Sequence, residues 1–293
     1  MKKPISSPTT KLVQYVDVQA CDTRWVIDAK LIHQEKTKFQ DLKVYESQTF
    51  GTFFALDDWL QVADKDEFIY HEMMVHVSLA INPKIENVLV IGAGDGGVVR
   101  ELCKYKTIKH IDMIEIDERV CEISKKYFPQ VAISLSDKRV NLMHIDGIKW
   151  VKDYNGKNYD LIICDSTDPT DTGKALFTDA FYKNCNRILD KKGLFVCQGE
   201  SLYYDVTKKV ALKTFHYLKK YFFKNWMYQA YIPTYSSGHW MYNFASKSDI
   251  DPINKNIAKW NDLKIKTQYY NTNVHIGAFA LPNYVIDILE KSK

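Results

Sequence analysis

The sequence predicts an α/β protein: a doubly wound, Rossmann-like sheet of the methyltransferase type with a parallel core, preceded by a small antiparallel β-domain. Three observations carry this. From residue 86 onward, short apolar runs alternate with helical stretches. A glycine-rich turn, Gly92-Ala-Gly-Asp-Gly-Gly97, comes directly after the first of those runs. Before residue 64 the chain instead shows short alternating runs rich in β-branched and aromatic residues. The change of pattern divides the chain into a β-strand domain over 1–63 and a Rossmann-like domain over 64–293.

In the first domain Leu42-Lys-Val-Tyr45, Thr52-Phe-Phe-Ala-Leu56 and Trp59-Leu-Gln-Val62 read as strands, split by Gly51 and by Asp57-Asp58. Asp64 with Glu67 three residues on has the form of a capping box and predicts a helix start. Phe68, Met73, Val77 and Ala80 would be its buried stripe. In the second domain the apolar runs are Asn87–Ile91, Ile111–Ile114, Val140–Met143, Asp160–Cys164 and Leu194–Cys197. Continuous apolar strands separated by helices are what a parallel sheet covered on both faces requires.

A net charge of +4 spread over 293 residues gives no electrostatic case for nucleic acid. No apolar run reaches the ~20 residues that span a bilayer. Met1-Lys-Lys-Pro has no apolar stretch behind it and does not read as a signal peptide. The cysteines at 21, 103, 121, 164, 185 and 197 form no C-x-x-C pair. Cys164 and Cys197 sit in apolar runs, as small core residues do. These features point to the cytoplasm. No metal is expected. His71-Glu-Met-Met-Val-His76 is one residue too long for H-E-x-x-H, and its spacing turns the two imidazoles to different helix faces.

The most informative pattern lies at the carboxyl end of each apolar run. The first ends at Gly94-Asp95, the second at Glu115, the third before Asp146-Gly147, the fourth at Asp165-Ser-Thr-Asp168. Ligands of such sheets bind outside the carboxyl ends of the strands, so these acids are expected on one crevice. An acid after a strand can also simply cap the next helix. Acids at four successive ends are harder to explain that way, because clustered carboxylates repel one another. Glu115 lies where an acid binds both hydroxyls of a ribose. Asp146 could accept a bond from an adenine amino group. Gly92, Gly94 and Gly97 spell the phosphate-cradling G-x-G-x-x-G, yet Asp95 would repel a pyrophosphate by several kcal/mol at low dielectric (order of magnitude). A sulfonium nucleoside fits this loop better than NAD or FAD. Asp165 and Asp168 suggest that a second substrate is also a cation.

At this point the chain resembles the spermidine synthases, the polyamine aminopropyltransferases. The resemblance runs through Phe39-Gln-Asp-Leu42, Asp66–Met73, Gly92–Gly97, Glu115-Ile-Asp117, Asp146-Gly147, Asp165–Pro169, Gln198-Gly-Glu200, Pro233–Gly238, Tyr269-Tyr-Asn271 and Ala278–Pro282. It implies transfer of the aminopropyl group of decarboxylated S-adenosylmethionine to an amine, putrescine first among them. It implies Asp165 as the catalytic aspartate, and Asp168, Tyr70, Gln198 and Tyr235 as the lining of an amine channel. Gln40, His71, Asp95, Glu115, Asp146 and Gly147 would contact decarboxylated S-adenosylmethionine, with Gly92 and Gly94 letting backbone approach it. The resemblance further implies no metal or redox cofactor and a homodimer. Two departures stand out. Ala93 replaces a usual glycine, and Thr170-Asp-Thr-Gly173 replaces an apolar, proline-containing segment, which bears on the choice of amine. The other functions the residues admit are an S-adenosylmethionine-dependent amine N-methyltransferase, a polyamine- or nucleoside-binding protein without turnover, and an NAD-dependent dehydrogenase, the last disfavoured by Asp95.

Overall fold

The structure is a computed structural model that describes residues 11–20, 23–166 and 176–292. The chain divides into two compact units, 1–66 and 67–293. The first is a five-stranded antiparallel meander: β1 (Lys11–Ala20), β2 (Thr23–Lys36), β3 (Asp41–Ser47), β4 (Gly51–Leu56) and β5 (Trp59–Ala63), each paired with the next. Alternation puts Tyr15, Ile27, Tyr45 and Phe53 together on one buried face. Tyr45 and Phe53 are cross-strand partners with their rings stacked 5.0 Å apart. Asp57 and Asp58, both at positive φ, make the two-residue turn between β4 and β5. Outward-facing Val16 and Val26 oppose each other across β1 and β2, with exposed Leu12 further along β1.

The second unit is built on a seven-stranded sheet in the order β11-β12-β10-β9-β6-β7-β8. Its strands are β6 (Asn87–Gly92), β7 (His110–Ile114), β8 (Val140–Met143), β9 (Tyr159–Asp165), β10 (Leu189–Gln198), β11 (Lys224–Tyr231) and β12 (His239–Ser246). The strands β10-β9-β6-β7-β8 run parallel, and the β11–β12 hairpin adds two antiparallel strands beyond β10. The chain leaves β6 toward β7 on one side and returns to β9 on the other. The β6–β9 seam is therefore the switch point, where the strand ends open a crevice. Alternate residues of one strand feed two cores. Val88 and Val90 pack on one face, with Leu89 and Ile91 on the other. Helices α1 (Glu67–Ile81) and α2 (Gly97–Cys103) lie on the first face. The second face carries α4 (Gly147–Asp153), α5 (Asp179–Ile188) and α6 (Asp205–Tyr221). Helices α3 (Glu118–Tyr127), α7 (Thr272–Ala278) and α8 (Asn283–Lys291) complete the unit.

Two sequence expectations are corrected here. The first helix starts at Glu67, not Asp64. Asp64 belongs to the β4–β5 ladder. Its N–H donates to the Thr52 carbonyl at 2.9 Å and its carboxylate accepts the Thr52 N–H at 3.2 Å, so it is not free to cap a helix. Nor does α1 bury a stripe. Every residue from Ile69 to Ala80 is buried, while Phe68, expected in the stripe, is only half-buried. The sheet takes one side of α1, and α2 with the 3₁₀ turn Lys255–Leu263 takes another. Cys121, Cys164, Cys185 and Cys197 are buried as free thiols, and burial pushes the Cys164 thiol up to about 12. Cys21 lies outside the described residues. Among the described residues no helix is long and apolar enough to cross a membrane.

The buried Glu72 side chain ties the C-terminal chain to α1. Its carboxylate accepts the backbone N–H groups of Gln268, Tyr269 and Tyr270, each at 2.8 Å. Replacing Glu72 with Ala leaves these donors without their acceptor at about 1–3 kcal/mol apiece. We expect a destabilisation of at least about 3 kcal/mol in denaturant titration, with Glu72→Gln recovering part of it.

Candidate active site

The crevice is assembled at the carboxyl ends of β6, β7 and β9. β6 ends at Gly92, whose φ of 82° suits glycine and whose Cβ, if present, would lie 2.0 Å from the Asp165 carbonyl oxygen. The Ala93 N–H donates to that same carbonyl at 2.9 Å, which joins the glycine loop to the end of β9. Asp95 comes two residues later. Its Oδ1 accepts the Gly97 N–H at 2.6 Å and lies 3.2 Å from His71 Nε2. Gly94 lies against Glu115, the residue after β7, whose Oε1 accepts the Asp117 N–H at 2.8 Å. Tyr70 and His71 come from α1, and the Tyr70 hydroxyl donates to Asp165 Oδ1 at 2.6 Å.

The electrostatics separate these acids. Burial pushes the Asp165 carboxyl up to about 7. The Asp95 charge adds to the rise, and the His71 cation and Tyr70 hydroxyl oppose it. Burial likewise pushes Glu115 up to about 7, against the Asp117 N–H and with the charges of Asp117, Asp165 and Asp95. Burial works on Asp95 in the same direction but is outweighed. The charge and hydrogen bond of His71, the Gly97 N–H and Arg100 hold its carboxyl below the usual aspartate range. Burial disfavours a charged His71, yet Asp95 and then Glu67 push its imidazole up to about 10. The crevice thus holds one firm anion, Asp95, beside two carboxyls poised near neutrality.

The remaining expected site residues are spread more widely. Gln198, at the end of β10, is buried, and its amide donates to Glu200 Oε1 at 2.9 Å. Tyr235 is half-buried, 6.1 Å from the Tyr70 ring and 4.5 Å from Trp240. Asp146 is exposed and is the N-cap of α4, accepting from the Ile148 and Lys149 N–H groups. For Asp146 the capping alternative accounts for its local contacts. Gly147 is the first residue of that helix. Gln40 lies in the N-terminal unit, buried before β3, with its N–H donating to Thr37 Oγ1 at 3.1 Å. Asp168 and the Thr170–Gly173 segment lie outside the described residues. His76 bonds Tyr105 at 2.7 Å and Glu101 at 2.9 Å, while His71 bonds Glu67 and Asp95.

One atom each of His71, Asp95 and Asp165 come within 4.8 Å of one another, a spacing that could hold a metal ion. His71 does not suit the role. Both its ring nitrogens already face carboxylates, Glu67 and Asp95, which call for N–H donors there rather than a lone pair. Three residues of the site are not evident from the sequence. Glu67 reads there as half of a capping box and as a member of Asp66–Met73 with no role assigned. Arg100, which forks onto Glu67 at 2.7 and 2.9 Å, carries no motif. Tyr242, fully buried, sits 5.5 Å from the Tyr70 ring, and its hydroxyl has no hydrogen-bond partner among the described residues. The i, i+4 spacing of Glu67 and His71 is the one available signal.

Fold and crevice together define a Rossmann-like α/β enzyme of the methyltransferase type. The comparisons narrow this. Residues 67–255 match the spermine/spermidine synthase domain, and residues 21–64 match the spermidine synthase tetramerisation domain. A polyamine aminopropyltransferase of Clostridium botulinum is 53% identical over 264 residues, 89% of this chain and 92% of that protein. One of Alkaliphilus oremlandii is 49% identical over 95% of this chain and 98% of its own. A spermidine synthase crystallised with the transition state analogue AdoDATO superposes with a TM-score of 0.90 at 32% identity, over 98% of each chain. The spermidine synthase of Thermotoga maritima does so at 0.89 and 31%, over 98% of each chain. The chain belongs to the spermine/spermidine synthase family.

The raised Asp165 carboxyl makes a stability prediction. A carboxyl whose proton affinity is raised by folding favours the folded state when protonated, and that contribution is lost as pH rises through about 7. Glu115 acts in the same direction. The ligand-free protein should therefore melt higher at about pH 6.5 than at about pH 8. Asp165→Asn should raise the pH 8 melting temperature, by about 2–4 °C per kcal/mol of repulsion relieved. Differential scanning calorimetry at the two pH values checks both.

Proposed function

We propose that this enzyme transfers the aminopropyl group of decarboxylated S-adenosylmethionine to a polyamine acceptor, with putrescine giving spermidine and methylthioadenosine. The observation that carries this reading is the division of labour between two aspartates within 4.8 Å of His71. Asp95 stays ionised and suits a permanent cation, the ammonium end of the aminopropyl group. Asp165 is poised near 7 and suits a proton acceptor. The names of the relatives, polyamine aminopropyltransferase and spermidine synthase, support it independently.

The amine nitrogen attacks the aminopropyl carbon next to the sulfonium. A C–N bond forms, the C–S bond breaks, and its electron pair leaves with methylthioadenosine. An alkylamine with a pKa of about 10.4 is protonated at neutral pH, and freeing its lone pair costs roughly 4–5 kcal/mol. Asp165 takes that proton, held in place by the Tyr70 hydroxyl. Tyr70, Tyr235 and Gln198 line the amine channel, and Asp168 is assigned to the amine by the resemblance alone. Gly92, Gly94, Glu115, Asp146, Gly147 and His71 hold the nucleoside, with Glu115 on the ribose hydroxyls. The nucleoside is a co-substrate, and the scheme needs no further cofactor. The protein acts in the cytoplasm as a homo-oligomer. A dimer is the expectation from the resemblance, and the name of the family matched by the first unit favours a tetramer. Light scattering separates the two.

Incubation with decarboxylated S-adenosylmethionine and a panel of diamines, read by mass, should give spermidine from putrescine and release methylthioadenosine. S-adenosylhomocysteine formed from S-adenosylmethionine would mark an N-methyltransferase instead. Asp165→Asn should lower kcat by about 10²–10⁴ with the fold intact by circular dichroism. Asp95→Asn should weaken binding of decarboxylated S-adenosylmethionine by about tenfold or more, as loss of a hydrogen bond to a charged group does, and leave methylthioadenosine, which lacks the ammonium, nearly unaffected.

A further inference from the structure

A buried chain of charge reaches the crevice from α2 through α1, and the proposed reaction leaves its outer members unused. Arg100 Nη1 lies 2.7 Å from Glu67 Oε1, and Nη2 lies 2.9 Å from Oε2. Glu67 Oε2 in turn lies 2.5 Å from His71 Nδ1, one helical turn on. His71 Nε2 lies 3.2 Å from Asp95 Oδ1. The Glu67 and His71 side chains are 5% and 2% exposed, so water does not screen these contacts.

The protonation of the ring is set by this geometry. A neutral imidazole has one N–H and one lone pair, and an ionised carboxylate can only accept. Either neutral tautomer would set a lone pair against a carboxylate oxygen, at 2.5 or at 3.2 Å, in a buried place. Only the imidazolium satisfies both ends. Arg100 offsets the second charge that Glu67 brings, and its Nε goes to Glu101 Oε1 at 2.9 Å. The ring also has a seat made for it. A Cβ on Gly97 would lie 2.2 Å from His71 Cε1 and Nδ1, so the backbone of α2's first residue must stay bare. The other titratable groups facing the ring are Tyr70, 5.5 Å away and perpendicular, and Asp165. Glu115 faces the same acids from the end of β7.

We infer that Glu67 and Arg100 are positioning residues of the aminopropyl-transfer site: they hold His71 as an imidazolium, whose fixed charge keeps Asp95 anionic and leaves Asp165 as the carboxylate that takes up the proton. The roles of the two aspartates rest on the proposed function, while the state of His71 does not. The asymmetry is geometric. His71 hydrogen-bonds Asp95, whereas Asp165 bonds Tyr70 and meets the imidazolium through space. The raised affinity of His71 for its second proton agrees in direction.

The test starts with the unaltered chain, so it does not depend on any variant folding. With ¹⁵N-histidine labelling, and His71→Gln to identify the resonance, both ring nitrogens of His71 should remain protonated to at least about pH 9. Deprotonation near the ordinary value of about 6.5 overturns the inference. Glu67→Gln should lower the His71 titration by about three pH units or more, to or below the range in which Asp165 titrates, and Arg100→Lys, which keeps the charge but not the fork, by less. In kinetics with decarboxylated S-adenosylmethionine and putrescine, Glu67→Gln should move the acid limb of kcat upward by about one unit. Turnover then falls roughly tenfold on that limb and recovers about two units higher. Loss that is equal at every pH marks a structural role and overturns the positioning. A doubly protonated His71 without transfer to any amine overturns the roles given to Asp95 and Asp165 and upholds the imidazolium, so the two failures are told apart.

Discussion

Burying carboxylates beside one another is the constraint to which the rest of the second unit answers. Glu67, Asp95, Glu115 and Asp165 gather at one edge of the sheet, with His71 and Arg100 as the nearby cations. If every acid ionised, the cations would fall short. The molecule resolves this unevenly. Glu67 and Asp95 are matched by direct bonds to His71 and Arg100 and stay ionised. Asp165 and Glu115 shift toward neutrality instead. Burying an uncompensated charge costs several kcal/mol, so a half-protonated pair is the cheaper resting state. Under the proposed function, the sulfonium and ammonium of the substrates supply the missing positive charge.

The sheet makes that gathering possible. β6 and β9 are parallel neighbours, and Gly92 pairs with Asp165 in the register. Turning the chain away at Gly92 lets the loop fold back onto the carbonyl of Asp165, which sets Asp95 beside Asp165. Across β10 and the hairpin the same face carries Gln198, Tyr242 and Tyr228, which are directly paired in register. The Tyr242 and Tyr228 rings stack at 4.9 Å, and Tyr242 leans over Tyr70. Packed aromatic rings thus back Tyr70, which with Tyr235 stands beside an acidic rim. That combination suits an aliphatic cation, which needs apolar contact along its stem and charge at its ends.

The layout of the second unit is largely legible in the sequence because parallel strands buried on both faces must be apolar throughout. Asn87–Ile91, Asp160–Cys164 and Leu194–Cys197 stand out for that reason. The acids at their ends are legible because chain position and sheet edge are the same thing in this fold. Helix α1 is harder. A helix buried on all sides has no stripe to find, and polar residues such as Glu72, Ser78 and His76 inside it look like a solvated face. The expected start at Asp64 fails because a local pattern competes with a strand pairing to Thr52, which no short window contains. The hairpin partners β11 and β12 do not stand out, since Trp226, Tyr228 and Trp240 give little period-two contrast. Arg100 reads as an ordinary helix charge until α2 is placed against α1.

The glycine loop shows why a motif must be read with its electrostatics. In a phosphate cradle the three glycines serve a tight turn, a close approach to the anion and close helix packing. Here Gly92 still makes the turn, but the close approach at Gly97 is used by a protein group, the His71 ring. An imidazolium lying on the start of α2 occupies ground where a phosphate would otherwise meet the helix N–H groups. The Gly97 N–H itself is taken by Asp95. The loop therefore supplies the anion, Asp95, and α1 the cation, His71, to the positions a pyrophosphate would claim. What remains unmatched in the crevice are the carboxyls of Asp165 and Glu115. Under the proposed function, the same backbone, with one aspartate inside it and one histidine laid on it, takes a ligand of the opposite sign.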